Sequence, residues 1–167
     1  SNQTGVTNDT STKVQFNTED FDTGNEYDNS SNYRFVPANG NTYLIHAQLK
    51  IGGSSNTTLQ EAKIKLYKNG SEILEMRDDS YNTSTNKASP SLSKIVTGNG
   101  SDYYEIYGRA YLTSGTVTFF SYSFPKFWER KWPPKIKAHR IVQYKALHFL
   151  KKTKNTVRHK KWQYYIL

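Results

Sequence analysis

Cysteine is missing from all 167 residues. That excludes disulfides, thiolate zinc sites and a cysteine nucleophile, and it leaves the compartment open, because a large β domain can be exported without disulfides. Long apolar runs are missing too. No stretch approaches the roughly 20 residues that a membrane-crossing helix needs. No signal peptide is visible, so an exported form starts after its signal or travels within a larger assembly. Catalytic signatures are equally thin. Neither G-x-S-x-G nor H-E-x-x-H occurs, and the first 124 residues hold one histidine, His46. Nucleophilic catalysis needs a base beside the nucleophile, and nothing in the sequence pairs two carboxylates as glycoside hydrolysis requires. The expectation is a protein that is not an enzyme.

Hydrophobic residues make up only 35% of the chain, yet aromatics reach 14%, with 13 Tyr and 8 Phe. Disordered chains are poor in aromatics, so a packed core is expected. The net charge of +9 is unevenly spread. Residues 1–124 carry ten Lys and Arg against 13 Asp and Glu, a net of −3; residues 125–167 carry 13 against Glu129 alone, a net of +12. All three Trp and three of the four His lie in that last stretch. The organisation expected is a flexible, polar lead-in over 1–12, a domain over 13–124 and a basic tail over 125–167.

Within the middle segment, period-two patterning dominates. In "YLIHAQLKI", Tyr43, Ile45, Ala47, Leu49 and Ile51 point one way and Leu44, His46, Gln48 and Lys50 the other, which predicts a half-buried strand. "EAKIKLYKNGSEILEMR" (61–77) predicts a hairpin, with Asn69-Gly70 supplying the positive φ angles of a type I′ turn. Short strands follow near Leu92–Val96, over 103–112 and over 116–124, the last rich in β-branched and aromatic residues. About eight strands between turns, with no convincing helix before residue 125, predict an all-β sandwich or barrel of jelly-roll type. Phe16, Phe21, Tyr27, Tyr33, Phe35 and Tyr43 read as core and interface anchors, and the intervening Asn, Asp and Gly as turn residues.

Several stretches together resemble the C1q-like (C1q/TNF-type) globular domain. They are "VQFNTEDFDTGNEYD" with Phe16, Phe21, Asp22, Tyr27 and Asp28; "YRFVPANGNTYLIHAQL" with Phe35, Pro37, Gly40 and Tyr43; "LYKNGSEI" with Lys68, Asn69 and Gly70; and "VTGNGSDYYEIYG". The resemblance covers about residues 13–124 and is closest in style to the bacterial and viral branch. It implies an antiparallel, ten-stranded jelly-roll sandwich, a homotrimer around a threefold axis, and a recognition head without catalysis. Three departures stand out. Asn41 and Thr42 both separate the Gly from the Tyr where the family has one residue. The Gly-Asp turn reads Gly100-Ser101-Asp102. The family's last strand runs F-x-G into apolar residues, whereas here Phe124 is followed by Pro125 and Lys126.

Candidate sites are few. Asp22 and Asp28, in an acidic loop with Asp20, Asn25 and Glu26, offer hard oxygens suited to Ca²⁺, but the spacing is not that of an EF-hand. The plainer reading is a solvated turn with no metal and no cofactor, and Asp78-Asp79 reads the same way. Tyr43, Ile45, His46, Tyr104 and Ile106 are the candidates for a trimer interface or the core beside it. The sequons at Asn56 and Asn82 arise readily by chance in a chain so rich in Asn, Ser and Thr. In the tail, Ala138, Ile141, Val142, Lys145 and Phe149 fall near one side of a helix that Pro134 would open. Lys151, Lys152, Lys154, Arg158, Lys160 and Lys161 offer charge for nucleic-acid phosphates or anionic lipid. The tail reads as helical or disordered. Its abrupt change of composition, where the last jelly-roll strand should complete, is also what a frame-shifted, unselected extension looks like.

The function expected is recognition. A trimeric head would bind a cell-surface glycan or a protein receptor, in an extracellular or virion-associated setting such as a phage fibre, a bacterial surface or an environmental source. The alternatives are nucleic-acid or anionic-membrane binding through 125–167, and a purely structural fibre or capsid-decoration module.

Overall fold

The computed structural model describes residues 1–19, 22–53, 57–79 and 85–120, together with the backbone of Arg130–Trp132. Phe21, the sequon residues Asn56 and Asn82, and the whole basic stretch from Pro133, including Lys151, Lys152, Lys154, Arg158, Lys160 and Lys161, lie outside the described residues. The first compact unit runs from Ser1 to Trp132. Its described residues are all-β, without a helix.

Thirteen strands follow in order: β1 (Gln3–Val6), β2 (Thr12–Lys13), β3 (Tyr27–Asp28), β4 (Arg34–Phe35), β5 (Thr42–Gln48), β6 (Lys50–Gly52), β7 (Leu59–Lys68), β8 (Ser71–Asp79), β9 (Lys87–Ala88), β10 (Ser91–Thr97), β11 (Tyr104–Leu112), β12 (Val117–Phe120) and β13 (Arg130–Trp132). One sheet has the order β3-β4-β11-β7-β8, with β2 also on β11. A second ladder, β1-β12-β6-β9, and a third, β10-β5-β13, are joined because only Leu49 separates β5 from β6. Every pairing is antiparallel. One set of these partnerships nests: β1 near the start pairs with β12, β4 with β11, β5 and β6 with β10 and β9, and β7 with its neighbour β8; β7 with β11, β6 with β12 and β5 with β13 pair outside it.

The alternation read in the sequence is the one that builds the interior. Tyr43, Ile45, Ala47, Leu49 and Ile51 are at most 2% exposed. From the six-stranded sheet, Phe35, Leu59, Ala62, Ile64, Leu66, Tyr104, Ile106, Ala110 and Leu112 join the same cluster. Phe35 meets Tyr43 edge to face at 5.3 Å, one of the contacts that tie β4 to β5. Phe16 and Tyr27 rest partly buried against this core. The hairpin turn is as expected, with positive φ at both Asn69 and Gly70. Gly108 has a different role from its neighbours in the alternation. A Cβ there would stand 2.6 Å from Leu49 Cδ2 and 2.7 Å from the Phe119 ring, so its missing side chain is the space those two occupy.

Two expectations about the ends are corrected. The lead-in over 1–12 is not loose: β1 pairs with β12, and Val6 is buried. Asn8 then imitates a strand residue with its side chain. Its Nδ2 donates to Leu112 O at 2.9 Å, and its Oδ1 accepts from Leu112 N at 2.9 Å. Asp9 N–H donates to Ala110 O, and β2 continues along β11. A short polar side chain can satisfy the backbone as a strand would, which polarity alone does not reveal. At the other end, β13 pairs with β5 through Arg130, Lys131 and Trp132, so the β unit does not stop at residue 124.

Asn8→Ala should leave both backbone groups of Leu112 without that partner and cost about 1–3 kcal/mol in urea unfolding. Gly108→Ala should cost a similar ~1–3 kcal/mol by overpacking. Unchanged midpoints in either variant would contradict these roles.

Candidate recognition surface

The outer face of the six-stranded sheet is a lattice of ion pairs. Lys65 Nζ lies 2.8 Å from Glu72 and 3.0 Å from Glu75. Lys63 Nζ lies 3.1 Å from Glu75 and 3.5 Å from Glu61. Arg109 approaches Glu61 at 3.1 Å and also pairs with Asp9, Arg77 reaches Glu61 at 3.2 Å and also pairs with Asp79, and Lys13 pairs with Glu105. Burial acts to lower the Lys65 pKa, but Glu72 and Glu75 outweigh it and hold the ammonium above its usual range. Burial likewise acts to raise Glu75, and Lys65 and Lys63 hold it below. Tyr67 and Tyr107 stack within the lattice at 4.2 Å. Single pairs of this kind contribute little to stability. Their collective effect is to match each of these cations with a carboxylate, so the face is electrostatically closed on itself.

The opposite outer face differs in chemistry. Along β5, the outward row is Thr42, Leu44, His46 and Gln48; it faces Thr97, Ile95, Ser93 and Ser91 of β10 in register. These eight side chains include no acid, Lys or Arg. Ile95, opposite Leu44, is 64% exposed, the most of any large hydrophobic among the described residues. His46 Nδ1 lies 2.8 Å from Ser93 Oγ. A base beside a hydroxyl is half of a nucleophilic constellation. Among the described residues, however, no carboxylate bonds the ring, and the pair sits within the β5–β10 strand ladder. On the adjoining ladder, the ammonium groups of Lys50 and Lys87 stand 5.9 Å and 4.8 Å from the centre of the Phe120 ring, within cation–π range.

One end of the unit is closed by loops that grip one another. Gly40 N–H donates to Gly98 O, Gly98 N–H to Asn41 O, and Gly100 N–H to Pro37 O. Beneath them, Tyr43 OH donates to Glu26 Oε1 at 2.6 Å, and burial together with that carboxylate pushes its pKa up to about 12. Glu26 Oε1 also accepts from Ala38 N, so an acid from the Asp-rich loop anchors the 38–41 turn. Asn69 joins the group: its Oδ1 accepts from Tyr103 N and its Nδ2 donates to Asp102. Lys68 lies 2.7 Å from Asp102, which it holds below the usual carboxylate range. Arg34 stands over the Tyr103 ring at 5.0 Å.

The Ca²⁺ candidates are turn residues here. Asp22 accepts from Gly24 N and Tyr27 N. Asp28 accepts from the N–H groups of Ser30, Ser31 and Asn32 and from the Asn32 side chain. The Ser31 N–H leads in holding Asp28 well below the carboxylate range, followed by the Asn32 amide. Oxygens so engaged are poor candidates for a cation, and among the described residues no three acidic or histidine side chains cluster to hold one. Asp20 lies outside the described residues.

The interface candidates divide. Tyr43, Ile45, Tyr104 and Ile106 lie in the core, at most 4% exposed, and His46 alone faces outward. The sequence reading missed Ile95 and the ion-pair lattice. A signal for the lattice was present in Lys63 and Lys65 facing Glu72, Glu75 and Arg77 across one turn. No known family model matches this chain, and no curated protein is similar enough to count as a relative.

Asp28, Asp102 and Glu75 are all held below their ordinary values. Groups depressed on folding stabilise the fold at pH values above their unfolded pKa of about 4. That contribution is lost as pH falls through 4 toward the lower folded values. The urea midpoint should therefore drop steadily between about pH 5 and pH 2, with a shallower drop in Asp28→Ala. A midpoint that holds or rises at pH 3 would refute this.

Proposed function

We propose that this chain is a non-enzymatic recognition or structural head of C1q-like jelly-roll type, which works as a homotrimer in an extracellular or virion-associated setting. The observation that carries the reading is a nested set of strand pairings, from β1 with β12 inward through β4 with β11 and β6 with β9 to the β7–β8 hairpin. A jelly roll is a long antiparallel hairpin folded over on itself, and nested partnerships across two layers are what such folding produces.

Self-association is supported by the contrast between the outer faces. One is saturated with internal ion pairs. The other offers the uncharged β5–β10 row with Ile95 at its centre. A second apolar group, Met76, is 46% exposed on β8, at the margin where β8 and β10 approach. Cyclic trimers need two unlike patches that meet head to tail and close the ring, and Ile95 and Met76 belong to different strands of different sheets. With that surface buried between subunits, the interlocked loop end remains for a target, either a cell-surface glycan or a protein receptor. Its Asn, Tyr and Arg side chains give adaptable polar contact on a rigid support.

The alternative places binding in residues 125–167, whose basic side chains would meet nucleic acid or anionic lipid. That mode rests on phosphate neutralisation and would weaken steeply with salt.

Sedimentation equilibrium of the full chain should give three times the mass of one chain, and Ile95→Asp should shift it to monomer with the β-sheet circular dichroism retained. A monomeric wild type, or a trimer indifferent to Ile95→Asp, would sink the assembly reading. Salt-sensitive binding to DNA or anionic vesicles that is lost on removing 133–167 would favour the alternative.

A further inference from the structure

Three Asn-Gly sequences occur in this chain, at Asn39-Gly40, Asn69-Gly70 and Asn99-Gly100. Each asparagine is exposed to solvent. Asn-Gly is chemically the most labile of asparagine linkages, because glycine carries no Cβ to hinder attack by its own backbone nitrogen on the preceding side-chain amide. The sequence treats the three alike, but the structure does not.

Asn69 is held at both ends of its amide. Its Oδ1 accepts from Tyr103 N at 2.9 Å and its Nδ2 donates to Asp102 Oδ1 at 2.7 Å. Asn99 is held by its oxygen, which accepts from Ser101 N at 3.0 Å, Ser101 Oγ at 3.2 Å and Asp102 N at 2.8 Å. For either side chain to swing its Cγ toward the following nitrogen, these bonds must break together. Asn39 carries no side-chain hydrogen bond among the described residues. The backbone nucleophile does not separate Asn39 from Asn99: Gly40 N–H is donated to Gly98 O at 3.1 Å and Gly100 N–H to Pro37 O at 3.2 Å. What differs between those two is the freedom of the side chain.

We propose that Asn39 is the site at which this protein undergoes self-catalysed deamidation. Gly40 N loses its proton to hydroxide or water and attacks Asn39 Cγ. The new C–N bond closes a five-membered succinimide as the Cγ–Nδ2 bond breaks, and Nδ2 takes a proton from water and leaves as ammonia. Water then opens the ring at one of its two carbonyls, which leaves aspartate, or isoaspartate with the chain rerouted through the side-chain carbon. No oxidant or reductant is required. The product adds a negative charge at the interlocked 37–41 and 98–100 loops. In the isoaspartate form it also adds a backbone atom next to the Gly40-to-Gly98 bond. The site thus acts as an age mark on the loop end, whatever that end binds.

The test is peptide mapping by mass spectrometry of the full native chain during incubation at neutral and mildly alkaline pH, with isoaspartate scored separately. A parallel sample is kept unfolded in urea. In the native chain, position 39 should gain the one-dalton shift faster than positions 69 and 99, by a factor on the order of ten for two ordinary hydrogen bonds that must open together. In urea the three should converge. Asn39→Gln, which alters an exposed side chain without bonds, should remove the fast phase and leave the fold intact. Equal native rates at the three positions, a faster site at 69 or 99, or the same ranking in urea would each overturn the proposal.

Discussion

Register is the constraint on which the rest of this structure depends. A strand has two faces, and a slip of one residue exchanges them. Both layers here place one row on a shared interior, so every pairing must be set to the residue. The β7–β8 hairpin shows how tightly. Starting from the turn, Lys68 faces Ser71 and Tyr67 faces Glu72, but Leu66 then faces Leu74. One residue, Ile73, is passed over in a bulge. Had the simple register continued, Leu74 and Met76 would have turned outward and Glu75 and Arg77 would have entered the core. The bulge leaves Ile73 36% exposed and in return gives Leu74 to the interior and Glu75 to Lys63 and Lys65. One local irregularity therefore makes both the apolar face and the ion-pair lattice.

Much of this was legible in the sequence because alternation and turn chemistry are local. Tyr43 to Ile51, Ala62 to Leu66 and Tyr104 to Leu112 each state their own buried row, and Asn69-Gly70 states its own turn. What was not legible depends on partners far along the chain. Asn8 looks like linker composition until Leu112, 104 residues away, is seen to bond both ends of its amide. Ile95 sits in a strand that announces itself, but whether it faces core or solvent follows from its pairing with Leu44. Asp22 and Asp28 carry the residue types of a cation site; only the positions of nearby N–H groups make them turn acceptors. Residue type was readable, and the state of its hydrogen-bonding capacity was not.

The termini carry the same lesson. The N-terminal segment reads as a flexible lead-in, yet it bonds to β12 through β1 and to β11 through β2, and so fastens both layers. Two strands near the end of the β unit are thereby paired with its opening residues. Such closure brings contacts of very large sequence separation, which are slow to form because loop entropy must be overcome before they contribute. The β7–β8 hairpin pairs neighbours in sequence, whereas β1 and β13 pair with strands far along the chain.

What faces outward narrows the ways in which partners can approach. A sheet edge is a template for another strand unless something spoils it. On β10, Lys94 occupies the same side as the buried Leu92 and Val96 and remains only partly buried. A strand added beyond β10 would have to cover that ammonium without a compensating acid of its own, which discourages edge pairing. On the six-stranded face, any incoming charged partner must displace a pair that is already formed, and Lys63, Lys65, Glu61 and Glu75 each contact more than one opposite charge. Over Leu44 and Ile95, a partner meets no charged side chain of β5 or β10, although Arg130 of β13 lies in register with Leu44. On the reading proposed above, association would use that face, and not an edge or charge, and would leave the gripped loops at 37–41 and 98–102 at the end open to a target.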